Sequence, residues 1–358
     1  MEIKKIKVPF KAKKTILGAG SQAKNTVCLL RGGFAYLSPV HQDLSNPKDF
    51  FNFEKDVKYF LKKKPEIIAC DLHPDYQSTK YIKGLQLKAY SLKLIQHHHA
   101  HIAACMAENG SKGKKVIGVA FDGTGLGADN KLWGGEFLIC DYKNFQRAAH
   151  LKEIPLLGGE RAILEPWRLL AAWTGRGIDK KKWRVLKKMF SVNFNSPLSS
   201  SMGRLFDAVA SLILGKTKAN FEAELAIELE RLAHCSLPMA QGYKFKITKI
   251  KNEYILDPSP MFRRIIADLR TKMPKEKIAY RFHLSVATMI RKTCTLLRKK
   301  SKINQVVLSG GVFQNKLLLA LSLDLLGKDN FEVFTHKNLS CNDSGISLGQ
   351  AVIANFRS

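Results

Sequence analysis

The segment KKVIGVAFDGTG, residues 114–125, places an apolar run directly before a glycine-rich turn. The run has the length and composition of a buried β-strand, and the glycines after it favour a tight turn. Asp122 stands where the predicted strand ends. The order of strands and helices that begins here resembles the order that begins near residue 16. The sequence therefore predicts an α/β protein made of two similar halves.

Each half is predicted to run strand, strand, strand, helix, strand, helix. In the first half, the apolar runs ILGAG, TVCLL and FAYLS predict strands, and Arg-Gly-Gly at 31–33 predicts a tight turn between the last two. We expect two ribonuclease-H-like lobes, residues 1–113 and residues 114–358, with a mostly helical insertion at about 160–245 in the second lobe. A cleft between two such lobes is a usual ligand site.

The composition limits the classes of protein that the chain can represent. Of 358 residues, 45% are hydrophobic and 25% are charged, which is typical of a soluble globular protein. The basic N-terminal residues lack a following apolar run, which predicts no secretory signal, and no apolar run approaches the roughly 18 residues of a membrane span. Seven scattered cysteines without a C-x-x-C pair exclude a zinc ribbon and indicate reduced thiols in a cytoplasmic protein.

The charge of the chain is strongly positive. Lys and Arg number 59 against 30 Asp and Glu, which gives a formal net charge of +29. Such a balance attracts acidic proteins and the phosphates of nucleotides or nucleic acids. It also arises when lysines are spread over solvated faces. The basic runs KKWRVLKK and RKKSK lack the interleaved aromatic residues on which single strands stack, so the sequence favours nucleic acid only weakly.

Four of the ten histidines fall within QHHHAHIAAC, residues 96–105. The segment predicts a helix that ends near the following NGSKG turn. His97 and His101 are four residues apart and so share one helix face, where two imidazoles can chelate one divalent ion. His98 and His99 point elsewhere. A helix that is merely capped by polar histidines is the alternative, but the clustering favours a metal or catalytic site.

Two ligands do not complete a metal site, and carboxylates are the natural additions. Asp122 lies at a predicted strand end, and Asp343, in SCNDSGISLG, lies near the start of the last predicted helix. An Asx-turn at Asp122 and a helix N-cap at Asp343 are the alternatives. Two histidines with two carboxylates suit Fe²⁺, Zn²⁺ or Mn²⁺, although sequence spacing does not show that these side chains meet.

Glycine turns form a second pattern. FDGTGLG (121–127) and LSGGVFQN (308–315) each follow an apolar strand, and a helix is predicted to start near Asn315. Backbone N–H groups in such turns approach phosphate closely, and the positive end of a helix adds to the attraction. We expect the two turns at equivalent points of the two lobes, which predicts a nucleotide in the cleft. Neither turn matches the P-loop or the dinucleotide-binding fingerprint.

Eight segments resemble, in the same order, the C-terminal carbamoyltransferase domain of HypF proteins, which serve in nickel–iron hydrogenase maturation. They are ILGAGSQAKNTVCL, ACDLHPDYQSTKY, QHHHAHIAACMAE, FDGTGLGADNKLWGGEF, IPLLGGERAILEPWRLLAAW, SSMGRLFDAVASLILG, LSGGVFQN and CNDSGISLGQA. That domain is related to the TsaD family, which makes threonylcarbamoyl-adenosine in tRNA, and to antibiotic O-carbamoyltransferases. The resemblance covers nearly the whole chain and implies the two-lobed fold of actin, sugar kinases and Hsp70.

The resemblance also implies residue roles. His97, His101 and Asp343 would hold a divalent metal, Fe²⁺ or Zn²⁺, and Asp122 would be its fourth ligand. The residues implied for binding an adenine nucleotide, as ATP, AMP or carbamoyl-adenylate, are Gly123, Thr124, Gly125, Asp207, Gly310, Gly311 and Asn315. The metal would polarise the carbonyl group of carbamoyl-adenylate, the thiolate of a partner protein would attack, and AMP would leave.

The expected partners follow from segments that the sequence does not contain. Complete HypF proteins carry an acylphosphatase-like domain, zinc-finger segments and a YrdC-like adenylating domain before this one. We therefore expect a split subunit or an excised domain that needs a separate YrdC-like protein and uses a HypE-like C-terminal cysteine as acceptor. Two segments depart from the family. Ala223 replaces the glycine of a Tyr-Glu-Gly-Gln stretch, which could loosen nucleotide binding, and FHLSVA at 282–287 keeps only its Phe-His start.

Two other functions remain open from the sequence. A TsaD-like tRNA-modifying transferase is favoured by the net charge, but FDGTG differs from the Ser-Gly-Gly hairpin of that family. A scaffold that binds a nucleotide and a partner without catalysis would belong to another class. Such a scaffold would not need the HHHAH segment together with Asp122 and Asp343.

Overall fold

The computed structural model describes residues 2–85, 90–175, 180–236 and 241–358. Over these residues the chain forms a mixed α/β fold with two larger β-sheets and one small two-stranded sheet. None of the described helices is both long enough and apolar enough to cross a membrane.

The first part of the chain builds a sheet in the order β3-β1-β5-β6, in which β3 is antiparallel to β1 and the other pairs are parallel. The elements of this part are β1 (Lys4–Gly18), β2 (Ala23–Asn25), β3 (Cys28–Leu37), β4 (His41–Asp43), α1 (Pro47–Leu61), β5 (Ile67–Asp71), α2 (Gln77–Gly84), β6 (Ser91–Ile95) and α3 (His97–Glu108). Helix α1 buries Phe53, Val57 and Phe60, whose spacing places them on one face.

The predicted turn at residues 31–33 is wrong. Strand β3 continues through these residues and stays paired with β1. Gly32 pairs with Ala12, has a φ of 56°, and is flanked by shifts in the register between the two strands. These features identify a β-bulge. A glycine with positive φ lets a strand bend at a bulge without ending it, so a local pattern typical of a turn lies inside a strand.

The second part of the chain builds a sheet in the order β12-β13-β9-β8-β7-β14-β15, with two short strands, β10 and β11, attached at β8. Its strands are β7 (Val116–Leu126), β8 (Leu132–Cys140), β9 (Phe145–Leu151), β10 (Ile154–Pro155), β11 (Leu198–Ser199), β12 (Lys246–Ile250), β13 (Glu253–Asp257), β14 (Gln305–Ser309) and β15 (Glu332–Phe334). Its helices are α4 (Arg161–Leu164), α5 (Trp167–Thr174), α6 (Lys180–Ser191), α7 (Met202–Leu214), α8 (Glu224–His234), α9 (Ser259–Arg270), α10 (Lys275–Ser301), α11 (Lys316–Lys328) and α12 (Ile346–Phe356). Helices α4 to α8 lie within the predicted insertion, as far as that segment is described.

The two glycine turns do not lie in different lobes, as the sequence suggested. Strands β7 and β14 are neighbouring parallel strands of the second sheet, and Ser309 pairs with Ala120. Both turns therefore lie side by side on one sheet, because each follows a residue of the pair Ala120 and Ser309 on strands that run in the same direction. The first turn is also not a strand end: β7 continues to Leu126 across a register shift between Phe121 and Gly125.

Helix α12 joins the two parts of the chain. It packs against β1, β3 and β5 as well as against α3, although it follows the second sheet in sequence. Gly349 makes the approach to α3 close, since a Cβ there would lie 1.9 Å from the carbonyl oxygen of Ala100. Ala100 lies between His97 and His101, so this contact fixes the part of α3 that carries the histidine pair. The division into lobes at residues 113 and 114 stays a prediction.

We expect Gly349→Ala to lower the free energy of unfolding by about 1–3 kcal/mol, because the added methyl group must displace α12 from α3. Gly327→Ala is the matched control, since Gly327 lies in α11 and a Cβ there meets no atom within 4 Å. This control should stabilise the protein by about 0.5–1 kcal/mol. Chemical denaturation of both variants measures the difference, and equal effects would show that α12 and α3 do not pack this closely.

Candidate functional site

Helix α3 sets the direction of the histidines. It begins at His97, directly after β6, and the side chain of Gln96 caps it by accepting the N–H of His99. His97 and His101 share a face, as their spacing requires. The ring of His98 bonds to Gln96, and the ring of His99 bonds to a backbone carbonyl. Burial lowers the pKa of both rings, so His98 and His99 are neutral and structural.

Four donor atoms from three parts of the chain meet beside α3. They come from His97, His101, Asp122 and Asp343, and all lie within 4.8 Å of one another. Oδ2 of Asp122 is 3.3 Å from Nε2 of His97 and 3.2 Å from Nε2 of His101. Oδ1 of Asp343 is 3.7 Å and 3.5 Å from the same two nitrogens. The structure thus brings together all four residues that were suggested as ligands, and their role as ligands stays a prediction.

The distances in this cluster fit a bound cation. A four-coordinate ion with bonds of about 2.1 Å holds its ligand atoms about 3.4 Å apart. The nitrogen–oxygen separations lie between 3.2 Å and 3.7 Å. Two imidazoles and two carboxylates suit Fe²⁺, Zn²⁺ or Mn²⁺. The histidine rings are buried, whereas the side chain of Asp343 is 20% exposed, so a ligand can reach the cluster from the side of Asp343.

Asp122 uses its two oxygens for different neighbours. Oδ2 faces the histidines, and Oδ1 accepts the N–H of Gly123 at 2.9 Å and that of Gly311 at 3.1 Å. The Asx-type bond that the sequence allowed as an alternative is therefore present together with the cluster. The bond to Gly311 joins the two glycine turns. Gly310, which has a φ of 102°, must be glycine because a Cβ there would lie 2.2 Å from the carbonyl oxygen of Phe121.

Asp343 does not act as the N-cap that the sequence allowed. It begins a short 3₁₀ turn that leads into α12, and the cap is the side chain of Asn342, which accepts the N–H of Ser344 at 3.1 Å. The carboxylate of Asp343 is therefore directed to the two histidines. Because Asn342 caps the turn, Asp343 does not have to cap it and can face the histidines.

Electrostatics in the cluster favour ionised carboxylates. Burial by itself would raise the pKa of Asp122, but the bonds and charges of His101 and His97 outweigh it and hold that pKa well below its ordinary value. The same histidines lower the pKa of Asp343 to about 2, again against the effect of burial. Two buried negative charges at short distance require positive charge beside them.

Asp71 is a site residue that the sequence analysis missed. Its Oδ2 lies 2.8 Å from Nδ1 of His97, and both side chains are fully buried. A carboxylate on the second nitrogen fixes the tautomer of a histidine and leaves the other nitrogen to a metal. Asp71 is the last residue of β5. The sequence feature that could have identified it is an aspartate at the end of the apolar strand IIACD.

A buried charged group lies beside the first glycine turn. Arg204 of α7 is 3.2 Å from Asp207 and 2.9 Å from Glu222. A Cβ on Gly123 would lie 2.7 Å from Oε1 of Glu222 and 3.4 Å from Nη2 of Arg204. Burial raises the pKa of Asp207 to about 6, although Arg204 opposes this. The sequence predicted roles for Asp207 and Gly123 but not for Arg204. A charged residue within the apolar face of SMGRLFDAVA is unusual, and this was the available indication.

Asn315 supports the second glycine turn. Its Oδ1 accepts the N–H of Leu318 at 2.8 Å and so caps α11, and its Nδ2 lies 3.0 Å from Nε2 of His283. His283 donates from Nδ1 to the carbonyl of Ala279, which leaves Nε2 as the acceptor. The histidine that FHLSVA shares with the family therefore holds the side chain of Asn315 in place.

Thr124 and Gly125 lie in the bulged part of β7. A Cβ on Gly125 would lie 2.7 Å from the ring of His98 and 2.8 Å from that of His97, so this glycine makes room for the histidines. Thr124 is partly exposed beside it. No contact of Thr124 or Gly125 with a nucleotide is tested by this structure, so their role in nucleotide binding stays a prediction.

Ala223 adopts the backbone conformation that favours the glycine it replaces. Its φ is 65° and its ψ is 6°, directly before α8. An alanine in this left-handed conformation costs about 1–2 kcal/mol. The strained residue follows Glu222, which bonds to Arg204. Helix α8 begins at Glu224, directly after this residue.

Comparison with known proteins assigns the chain to a family. Residues 118–350 match the family described as carbamoyltransferase, Kae1-like domain, second subdomain, and residues 11–108 match the HypF Kae1-like domain. The chain belongs to the HypF carbamoyltransferase family. A carbamoyltransferase HypF homolog of Cupriavidus necator is 33% identical over 359 residues, which cover 95% of this chain and 91% of that protein. The resemblance to HypF is thereby confirmed.

Other HypF relatives are longer. The carbamoyltransferase HypF of Rhodobacter capsulatus is 33% identical over 96% of this chain but over 47% of its own length. The chain thus spans about half the length of several curated relatives that it matches. A crystal structure of full-length HypF in the phosphate- and nucleotide-bound form is 39% identical, with a TM-score of 0.93 over 99% of this chain and 57% of that one. This similarity confirms the predicted two-lobed α/β fold of the actin, sugar-kinase and Hsp70 type.

We expect one divalent ion per chain, and we expect His97→Ala/His101→Ala to abolish its binding because both imidazole donors are removed. Elemental analysis of the purified proteins measures the metal content. His41→Ala is the control, since His41 is also buried but pairs with Asp56. It should leave the metal content unchanged. Full metal content in the double variant would exclude this cluster as the binding site.

Proposed function

We propose that the chain is a metal-dependent carbamoyltransferase that moves a carbamoyl group from carbamoyl-adenylate to a protein thiol. The proposal is carried by the convergence of His97, His101, Asp122 and Asp343 at the point where two glycine turns meet. Relatives that match nearly the whole chain are named carbamoyltransferases, which supports this class of reaction.

The transfer is a simple acyl substitution. The sulfur of the acceptor attacks the carbonyl carbon, a C–S bond forms, and the C–O bond to the phosphate breaks. AMP leaves with that oxygen, and the proton of the acceptor thiol goes to solvent. A divalent ion bound at the cluster supplies Lewis acidity to the carbonyl oxygen. Asp71 fixes the tautomer of His97, and Asp122 joins the cluster to both glycine turns.

We also propose that an adenine nucleotide binds beside the first glycine turn. Arg204 is buried, its Nη1 has no hydrogen-bond partner among the described residues, and its guanidinium lies beside Gly123. Arginine is well suited to binding phosphate. The N-terminal end of α11 follows the second turn and adds partial positive charge there. A related HypF has been solved with phosphate and nucleotide bound, which supports this assignment.

We further propose that the acceptor is the C-terminal cysteine of a HypE-like protein in nickel–iron hydrogenase maturation, and that a YrdC-like protein supplies carbamoyl-adenylate. Several relatives are about twice as long as the region that matches this chain. Their length supports the proposal that one region transfers the carbamoyl group and another supplies carbamoyl-adenylate. The seven cysteines, which all lie within the described residues, are free. Free thiols agree with a cytoplasmic location.

A TsaD-like activity on tRNA is the second candidate. The net charge of +29 favours a nucleic-acid substrate. A tRNA N6-adenosine threonylcarbamoyltransferase of Ehrlichia canis is 28% identical, but over only 45% of this chain. The HypF relatives match about twice as much of the chain, so the protein thiol is the better-supported acceptor.

We expect Asp207→Ala and Asn315→Ala each to weaken AMP binding by about 1–3 kcal/mol, the usual effect of removing one partner from a buried polar contact. Isothermal titration calorimetry measures the affinity. Asn315→Ser keeps the cap of α11 but removes the amide N–H that bonds to His283. This variant should lose less thermal stability than Asn315→Ala and still lose affinity, and thermal unfolding shows that it is folded. Unchanged affinity in all three variants would place the nucleotide elsewhere.

The transfer reaction itself gives a further prediction. With carbamoyl phosphate and ATP alone, the chain should release little AMP. With carbamoyl-adenylate, or with a YrdC-like protein added, it should carbamoylate the C-terminal cysteine of a HypE-like acceptor, which mass spectrometry detects. His101→Ala and Asp343→Ala should lower the transfer rate by about 100-fold or more, because they remove groups that stabilise charge in the transition state.

Asp324→Ala is the control for this assay, because Asp324 is exposed and pairs with Lys328 on the surface of α11. It should transfer at the wild-type rate. Formation of carbamoyl-adenylate by the chain alone would contradict the need for a YrdC-like partner. Modification of tRNA in place of the cysteine would favour the TsaD-like activity, and no transfer to either acceptor would favour a non-catalytic scaffold.

A further inference from the structure

The second ring nitrogen of His101 faces a chain of buried polar side chains. Nδ1 of His101 lies 3.5 Å from Oγ of Ser309, and that oxygen lies 2.8 Å from Nε2 of His336. Nδ1 of His336 contacts the carboxylate of Glu108. The side chains of His101, His336 and Glu108 are at most 4% exposed, and Ser309 is fully buried. We call Ser309, His336 and Glu108 the support chain of His101.

The carboxylate at the end of the support chain is compatible with one continuous order of hydrogen bonds. Burial by itself would raise the pKa of Glu108, but His336 and two backbone N–H groups outweigh it, so the pKa is lowered and the carboxylate only accepts. Nδ1 of His336 faces this carboxylate, and in the tautomer with hydrogen only on Nδ1 its Nε2 accepts from the hydroxyl of Ser309. Oγ of Ser309 can then accept from Nδ1 of His101. In this order the neutral imidazole that a metal requires has its hydrogen on Nδ1 and presents Nε2 to the cluster.

We propose that the support chain sets the tautomer and the ring orientation of His101, so that Nε2 is available to a divalent ion. Ser309 and His336 are positioning residues, since they act through His101. The inference rests on the metal centre of the proposed function. The other histidine of the pair has a comparable arrangement, because Asp71 binds Nδ1 of His97 directly. An outer partner on each ligating histidine is the usual way to fix its orientation.

The support chain also reaches the segment that carries Asp343. Oε2 of Glu108 accepts the backbone N–H of Asn338 at 2.8 Å and that of Leu339 at 3.1 Å. Glu108 is the last residue of α3, the helix that carries His101. One carboxylate therefore ties the helix with the histidines to the loop before Asp343. The position of His101 relative to Asp343 depends on this connection.

A second metal ion is the competing explanation for part of this region. Donor atoms of Cys105, Glu108 and His336 lie within 4.8 Å of one another. However, Glu108 and His336 already contact each other as an ion pair, and the remaining oxygen of Glu108 accepts two backbone N–H groups. Burial, together with the charge of Glu108, raises the pKa of Cys105 well above its ordinary value, which disfavours the thiolate that a metal needs.

Titration of the metal-free chain with Co²⁺ tests the proposal. Ser309→Ala and His336→Ala should each weaken Co²⁺ binding by about 10- to 100-fold, the usual effect of losing an outer partner of a ligand, and should change the visible absorption of the bound ion. The double variant Ser309→Ala/His336→Ala should bind no more weakly than the weaker single variant, because His336 acts through Ser309.

Matched controls separate this effect from a general loss of packing. Ser322→Ala removes another buried hydroxyl, which donates to the carbonyl of Leu318, and His150→Ala removes another buried ring. Both should bind Co²⁺ as the wild type does. Thermal unfolding of each metal-free variant shows whether it is folded, and Ser309→Ala remains a sufficient test if His336→Ala does not fold.

The outcomes distinguish the support chain from the metal centre on which it rests. If Ser309→Ala binds Co²⁺ with the affinity and the absorption of the wild type, the support chain is wrong and the metal centre is unaffected. Additive losses of affinity in the double variant would lead to the same conclusion. If the wild-type chain binds two Co²⁺ ions and His336→Ala binds one, these residues form a second metal site and not a support chain. A wild-type chain that binds no Co²⁺ would overturn both the proposed metal centre and this inference.

Discussion

The carboxylate of Asp122 is the point on which the site depends. One oxygen accepts N–H groups from two glycine turns on neighbouring strands, and the other faces both histidines of α3. A single side chain therefore links the predicted metal cluster to the predicted phosphate turns. Because the group is buried, each of its lone pairs needs a partner, and the partners come from β7, β14 and α3. Any shift of one element would leave a buried polar group without its bond.

Burial of so much charge has a structural consequence. Asp71, Asp122 and Glu108 are each held by histidines or backbone N–H groups, and for Asp122 and Glu108 these contacts lower the pKa against the effect of burial. His97 and His101 each have an outer partner on one nitrogen and a carboxylate near the other. Such buried polar networks hold side chains in one arrangement, which a metal centre requires. The same network makes the interior intolerant of removing one member alone.

Close backbone approaches complete the site. Gly349 lets α12 reach α3 beside the histidines, and Gly125 leaves room for their rings. Ala223 shows the opposite case, since it keeps a left-handed backbone without being glycine. The site therefore accepts a local strain of about 1–2 kcal/mol beside the predicted nucleotide-binding residues. The residue before it, Glu222, bonds to Arg204, whose guanidinium lies beside the first turn.

The sequence by itself determined the elements with strong local patterns and the family. The spacing of His97 and His101 predicts their common helix face, and apolar runs predict β7 and β14, because both patterns depend on neighbours along the chain. Only the tertiary structure decided that Asp122 and Asp343 meet these histidines, that both glycine turns share one sheet, and that residues 31–33 form a bulge. These features arise from pairing between distant segments, which local spacing does not encode. Ser309 and His336 were missed for the same reason, since their partners lie on other elements.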